Sequence, residues 1–174
     1  CDDTVDSRST LIKVVTLLDY DVIHDRIAVC IAQDTVIRVN VEASNPPNIR
    51  WKYKKRVTDN EYTVGSFDSL TLFNINEGRE GYYRAQVSNT CGLSPRQDFT
   101  YLEVRPQLTL TYDGKDTSCV GESLSMDLNA TGGDSLAYDF WWISNSDTVR
   151  QKSFNFTPTE DVSWVGYVFD NCSS

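Results

Sequence analysis

Short alternations of apolar and polar residues run through this chain. Ile37, Val39 and Val41 alternate with Arg38, Asn40 and Glu42, and Leu124, Met126 and Leu128 alternate with Ser125, Asp127 and Asn129. A period of two puts one set of side chains on each face of an extended segment, so each run reads as a half-buried strand. Ile49, Trp51 and Tyr53 against Arg50, Lys52 and Lys54 form a third such run. Tyr138, Phe140 and Trp142 against Asp139 and Trp141 form a fourth. Turn chemistry precedes the last two: Asn45-Pro46-Pro47-Asn48, where proline fixes φ, and Thr131-Gly132-Gly133-Asp134, where glycine admits positive φ. No convincing amphipathic helix interrupts the pattern. The longest apolar runs, such as Ile12 to Leu18 with Lys13 inside it, fall well short of the roughly 18 residues that cross a bilayer. An all-β chain without a transmembrane helix is expected.

The cysteines expose a repeat. Cys1 to Cys30 is 29 residues and Cys91 to Cys119 is 28, while Cys30 to Cys91 is 61 and Cys119 to Cys172 is 53. Two alternating intervals mean one unit repeated at 80–90 residues, the size of a small β-sandwich. The neighbouring residues hold the same register. Ser9 to Val14 after Cys1 matches Phe99 to Val104 after Cys91, so that Thr10 falls on Thr100 and Val14 on Val104, and both read as one strand. Gly81 to Cys91 lines up with Trp164 to Cys172, each an aromatic strand followed by Asn and Cys.

Short strands at regular spacing, a tryptophan in the third and Gly81-x-Tyr83 near the sixth describe an immunoglobulin-like sandwich. The unit resembles the tandem Ig-like and PKD-like repeats of secreted Bacteroidota cell-surface proteins of the adhesin and gliding type. The resemblance rests on Cys30 or Cys119 before the second strand, Trp51 or Trp142 in the third, Gly81-x-Tyr83, Asn89-x-Cys91-Gly92 and Asp170-Asn171-Cys172-Ser173. It implies two tandem Ig-like sandwiches, at residues 16–105 and 106–174. Residues 1–15 then hold the last strand of a preceding repeat, or an N-terminal extension, and the second domain lacks its own last strand. It also implies an extracellular, outer-membrane-associated location reached through type IX secretion. Neighbouring domains of the same array would be its partners, with a glycan or protein surface as ligand. One departure matters: Ala85 stands two residues after Tyr83, where antibody-type domains carry a cysteine.

Pairing within each unit, Cys30 with Cys91 and Cys119 with Cys172, is the simplest arrangement, and each bond would contribute about 3–4 kcal/mol. The start of the second strand and the end of the sixth lie at opposite poles of a standard sandwich, so Cys30 facing Cys172 is the alternative. Cys1, followed by Asp2-Asp3, reads either as the closing cysteine of a preceding repeat or as a lipidated N-terminus. Residues 9–15, a strand without its own domain, could pack on a neighbouring domain or pair head to tail with another molecule.

Sixteen Lys+Arg against twenty-five Asp+Glu give a charge of −9, which repels a phosphate backbone and excludes nucleic acid as a natural partner. One histidine, His24, leaves no multi-histidine metal site, and no Gly-x-Ser-x-Gly elbow is present. No catalytic residue, cofactor or metal ligand is assigned. Arg50, Lys52, Lys54, Lys55 and Arg56 form a basic cluster that alternation turns to solvent, and Asp19, Asp21, Asp25, Asp113 and Asp116 read as turn chemistry. Thr4, Thr35, Ser69, Ser135 and Thr148 sit in Asp-Ser/Thr-aliphatic triplets that resemble Bacteroidota O-glycosylation sites. Asn129, Asn155 and Asn171 would be N-glycan acceptors in a eukaryotic source. Trp141, out of phase with the core-facing Trp142, is the residue expected to contact a ligand. A row of it with Tyr138 or Trp164 would suit a carbohydrate-binding module, and the N-glycan sequons would suit a eukaryotic receptor fragment.

Overall fold

The computed structural model describes residues 19–42, 46–90, 92–94, 96 and 98–172. Cys1, Thr4, the strand expected at 9–15 and Cys91 lie outside them. In chain order the strands are β1 (Asp19–Val22), β2 (Arg26–Cys30), β3 (Thr35–Glu42), β4 (Asn48–Lys54), β5 (Tyr62–Ser66), β6 (Ser69–Leu72), β7 (Gly81–Asn89), β8 (Gly92–Leu93), β9 (Thr100–Arg105), β10 (Thr109–Gly114), β11 (Leu124–Thr131), β12 (Asp139–Ile143), β13 (Thr148–Val149), β14 (Ser153–Phe156) and β15 (Val165–Phe169). A three-residue 3-10 turn at Glu77–Arg79 is the one helical element among the described residues. The chain is all-β, and its sheets form two immunoglobulin-like sandwiches. By Cα proximity it groups into two compact units, Cys1–Arg26 with Val36–Thr71 and Gly81–Tyr101, and Ile27–Thr35 with Leu72–Glu80 and Leu102–Ser174.

In the first sandwich, one sheet runs β1-β3-β6 and the other β2-β9-β7-β4-β5, with β8 against β7. Alternation places Ile37 and Val39 of β3, Ile49, Trp51 and Tyr53 of β4, and Tyr83, Ala85 and Val87 of β7 inside. Trp51 is fully buried, and its Nε1 donates to the Phe67 carbonyl at 3.1 Å, so the indole fills the core without leaving a polar atom unpaired. Ala85 lies opposite Trp51 in the antiparallel register of β4 and β7. The position at which antibody-type domains place a cysteine is therefore a packing position here.

In the second sandwich, one sheet runs β10-β11-β14 and the other β13-β12-β15. Met126, Leu128 and Trp142 form its core, with Leu110, Phe140, Phe154, Phe156 and Trp164 packed against them. Trp142 lies opposite Gly166 on β15. A Cβ at Gly166 would stand 2.6 Å from Leu128 Cδ2, closer than packed carbons approach, so the glycine is required by the neighbouring side chain. This pairing equates Gly166 with Ala85, the register that setting Cys91 on Cys172 gives. The predicted glycine turn does take positive φ, 84° at Gly132 and 54° at Gly133.

The favoured disulfide pairing is overturned. Cys30 bonds Cys172, with Cα atoms 5.5 Å apart, and Cys119 is a free, exposed thiol. A polar network within the second unit explains the choice. The Ile31 N–H donates to the Arg105 carbonyl at 3.0 Å, the Arg105 guanidinium pairs with Asp134 at 2.7 Å, and Asn171 Nδ2 donates to the same carboxylate at 2.8 Å. Asp170 accepts from the Asp134 N–H at 2.6 Å and from the Cys172 N–H at 2.9 Å. Buried Asp134 thus links Asn171, just before Cys172, to Arg105, whose carbonyl holds Ile31, just after Cys30. Cys119 lies on the loop between β10 and β11, away from this network.

Two outcomes follow for stability. Gly166→Ala should cost about 1–3 kcal/mol in urea unfolding, because the added methyl has no room beside Leu128. Cys30→Ala with Cys172→Ala should cost about 2–5 kcal/mol, whereas Cys119→Ser should stay within about 0.5 kcal/mol. Iodoacetamide on the native, non-reduced chain should modify Cys119 and spare Cys30 and Cys172.

Candidate recognition face

The outer face of β12 and β15 carries the most distinctive surface. The register pairs Asp139 with Phe169, Trp141 with Tyr167, and Ile143 with Val165 across the two strands. Ile143 is 41% exposed, Tyr167 42%, Val165 49% and Phe169 50%, so four apolar side chains share one solvent-facing strip instead of occurring singly. Tyr167 and Phe169, two residues apart on one strand, stack at 6.3 Å with an interplanar angle of 11°.

Trp141 lies on this face but is half-buried. Its Nε1 donates to Asp139 Oδ2 at 2.8 Å, and Arg150 grips the same carboxylate through Nε and Nη2, each at 2.8 Å. The Arg150 guanidinium carbon stands 5.1 Å from the Trp141 ring centroid, close enough for a cation–π contact. One face of the indole is therefore capped. The Arg150 hydrogen bond, then that of the Trp141 indole, lowers the Asp139 pKa, and the same bond to Asp139 raises that of Arg150. Trp141 turns to the outer face, as its phase predicts, but half-buried: it is the clamped centre of a strip whose open members are Tyr167, Phe169, Val165 and Ile143.

The companions expected for Trp141 lie elsewhere. Trp164 packs its ring against Phe154 at 5.0 Å and Phe156 at 5.6 Å, in the core. Tyr138 stands edge-on to Phe140 at 5.9 Å and donates to the Gly132 carbonyl. The residues that do join Trp141 were missed because 164–172 was read as the match of 81–91, not for which face its alternation turns outward.

In the first sandwich the equivalent positions hold polar and charged residues, of which Arg84 is buried. Lys52 pairs with Arg84 and Arg50 with Gln86 at the positions that Ile143/Val165 and Trp141/Tyr167 occupy in the second. The basic cluster is partly neutralised: Glu61 bonds Arg84 and lies 3.9 Å from Lys54 Nζ, which sits 4.3 Å from the Phe99 centroid. Lys52 donates to Thr63 Oγ1 at 2.9 Å. Among the aspartates, Asp19 and Asp21 are both engaged by Arg96, with Asp98 at 3.6 Å from it.

Of the glycosylation candidates, Ser135, Thr148 and Asn155 are exposed, Thr35, Ser69 and Asn129 are half-buried, and Asn171 is committed to Asp134.

The clamp titrates in a defined direction. A lowered carboxyl pKa means that its contribution is complete above the ordinary aspartate value of 3.8 and is lost as pH falls through the lower folded-state value. The fluorescence difference between the chain and Trp141→Phe should stay level from neutral pH to 3.8 and change only below it. Arg150→Gln should move that change upward.

No family model matches the chain, and no curated protein does. Among solved structures it is similar to the N-terminal four Ig domains of Dscam1 isoform 6.9, with a TM-score of 0.50 and 15% identity over 92% of this chain and 47% of that one. A structure described as the structural basis for Dscam isoform specificity matches with a TM-score of 0.50 and 14% identity, over 91% of this chain and 43% of that one. The chain spans a little under half the length of these chains. The likeness is one of fold, and that fold is the immunoglobulin-like sandwich.

Proposed function

We propose that the chain is a non-catalytic segment of an extracellular tandem Ig-like array, with domains at 16–105 and 106–174, that serves as stalk and adhesion module of a bacterial cell-surface protein. The observation that carries this reading is the contrast between the outer sheet faces. Where the first sandwich presents Lys52 and Arg50, with Arg84 buried against Glu61 and Phe99, the second presents Ile143, Val165, Trp141 and Tyr167. A spacer needs only a solvated surface, and an adhesive module needs an apolar patch that a partner covers. The bacterial origin is supported by the Asp-Ser/Thr-aliphatic triplets at Ser135 and Thr148, both exposed. Exposed Asn155 equally supports a eukaryotic receptor fragment. A carbohydrate-binding module is disfavoured, since sugar rings stack on open indole faces and Arg150 caps one face of Trp141.

Beads carrying the chain should be retained on a mucin layer, which offers both glycan and polypeptide. Tyr167→Ser with Phe169→Ser should cut retention about tenfold. Unchanged retention would remove the face from the adhesive role. Peptide mapping of native material separates the two origins: O-glycans on Ser135 or Thr148 support the bacterial array, and an N-glycan on Asn155 the receptor fragment.

A further inference from the structure

The one disulfide among the described residues closes a very large ring. Cys30 and Cys172 are 142 residues apart in sequence, and their Cα atoms are 5.5 Å apart in space. Strands β3 to β15 all lie inside that ring, and β1 and β2 lie before it. Fully extended, the enclosed chain would span about 500 Å.

Tension follows the shortest covalent path. A pull applied before Cys30 and after Cys172 passes from one sulfur to the other. The ring then hangs from a single point of that line and carries no tension along its own backbone, so the sheet ladders of β3 to β15 are spared the load. The setting of the bond fits this use. Cys30 is 7% exposed, which screens its sulfur from dissolved thiols. Both ends of the ring are held by hydrogen bonds, the Ile31 N–H on the Arg105 carbonyl at 3.0 Å and the Cys172 N–H on Asp170 at 2.9 Å.

The segment that does take the load is fastened to the ring by polar contacts. Arg96 pairs with Asp19 and Asp21, and Tyr20 donates to the Arg96 carbonyl at 3.0 Å. Thr100 Oγ1 donates to the His24 carbonyl at 2.8 Å, and the Tyr101 N–H to the Asp25 carbonyl at 2.8 Å. Stripping Asp19 to Cys30 from these partners would lengthen the chain by only about 40 Å. On the outer strip, Tyr167 and Phe169 stand five and three residues before Cys172, so a pull taken up by β15 reaches the bond almost at once.

We propose that the Cys30–Cys172 bond is a load bypass, which carries tension past β3 to β15 so that the strip on β12 and β15 stays folded and able to bind while the chain is stretched. Its purpose rests on the stalk and adhesion reading, and its mechanics do not.

Force-ramp spectroscopy on the full chain, pulled through peptide tags at its two ends, tests the mechanics. The oxidised wild type should lengthen to no more than about 110 Å of chain outside the ring and then hold, and Cys30→Ala with Cys172→Ala should release about 500 Å more over the same ramp. Wild type reduced by a phosphine while tethered should show that same extra release, and it starts from a folded chain even where the double variant misfolds. An oxidised chain that releases the long length overturns the proposal. So does a reduced chain that keeps 31–171 folded at every force the oxidised chain withstands. Beads carrying the chain by one end, held on mucin under rising shear, test the purpose. Forced unfolding is a rate process, so reduction should cut retention about tenfold at high shear and less than about twofold at low shear. Equal loss at both shears overturns the bypass as an adhesive device. Wild-type beads that never hold remove the adhesive reading alone, and the force ramp still decides the bypass.

Discussion

Each sandwich is organised around one buried indole facing a strand position that has almost no side chain. Trp51 meets Ala85 and Trp142 meets Gly166, in the same place on the paired strands. An indole buries roughly 200 Å², about 5 kcal/mol by area, but only if the opposing strand leaves room for it. The small residue is the condition for that burial. Glycine at 166 goes further than alanine at 85 because Leu128 also occupies the gap. The indole N–H groups end on the Phe67 and Lys152 carbonyls, at 3.1 and 3.4 Å, so both rings are oriented by a hydrogen bond as well as by packing.

This arrangement does without a disulfide across the core, and the cysteine chemistry is used elsewhere. Cys30 and Cys172 join beside the Arg105–Asp134 pair, where one carboxylate collects a guanidinium and an amide. A buried ion pair of this kind contributes little net stability against its desolvation cost, but it penalises every alternative in which Asp134 is buried unpaired. Its contribution here is geometric: it holds the backbone so that two cysteines 142 residues apart in sequence meet. The entropy removed from the unfolded chain by so long a closure is the larger stabilising term.

The fold was legible because period-two alternation is a local signal. Ile37/Val39, Ile49/Trp51/Tyr53, Met126/Leu128 and Phe140/Trp142 announced both their strands and their inward faces. The last strand of the first sandwich was legible from the repeat, as Thr100–Arg105. Short edge elements such as β2, β5 and β13 were not, since an edge strand takes its hydrogen bonds from one neighbour and needs no strong alternation of its own. Disulfide connectivity was hidden for another reason. It depends on Arg105, Asp134 and Asn171 converging in space, and nothing in the spacing of five cysteines encodes that. At the recognition face, Trp141 was found by phase. Arg150 was missed because it reaches Asp139 from outside the β12–β15 strand pair.

The repeat itself gives the divergence its meaning. Two sandwiches of the same kind share the constraints of the core, so Trp51 and Trp142, or Ala85 and Gly166, differ little in kind. The opposite faces share no such constraint, and there Lys52 and the buried Arg84 in one correspond to Ile143 and Val165 in the other. Drift on a solvated face tends toward polar residues, because exposed apolar side chains gain nothing from water and promote association. An outer face that has instead become apolar, with Tyr167 and Phe169 stacked and Trp141 held in place by an ion pair, runs against that tendency. Its side chains leave water only under a covering surface, and this contrast is what supports the adhesive reading proposed for the second sandwich.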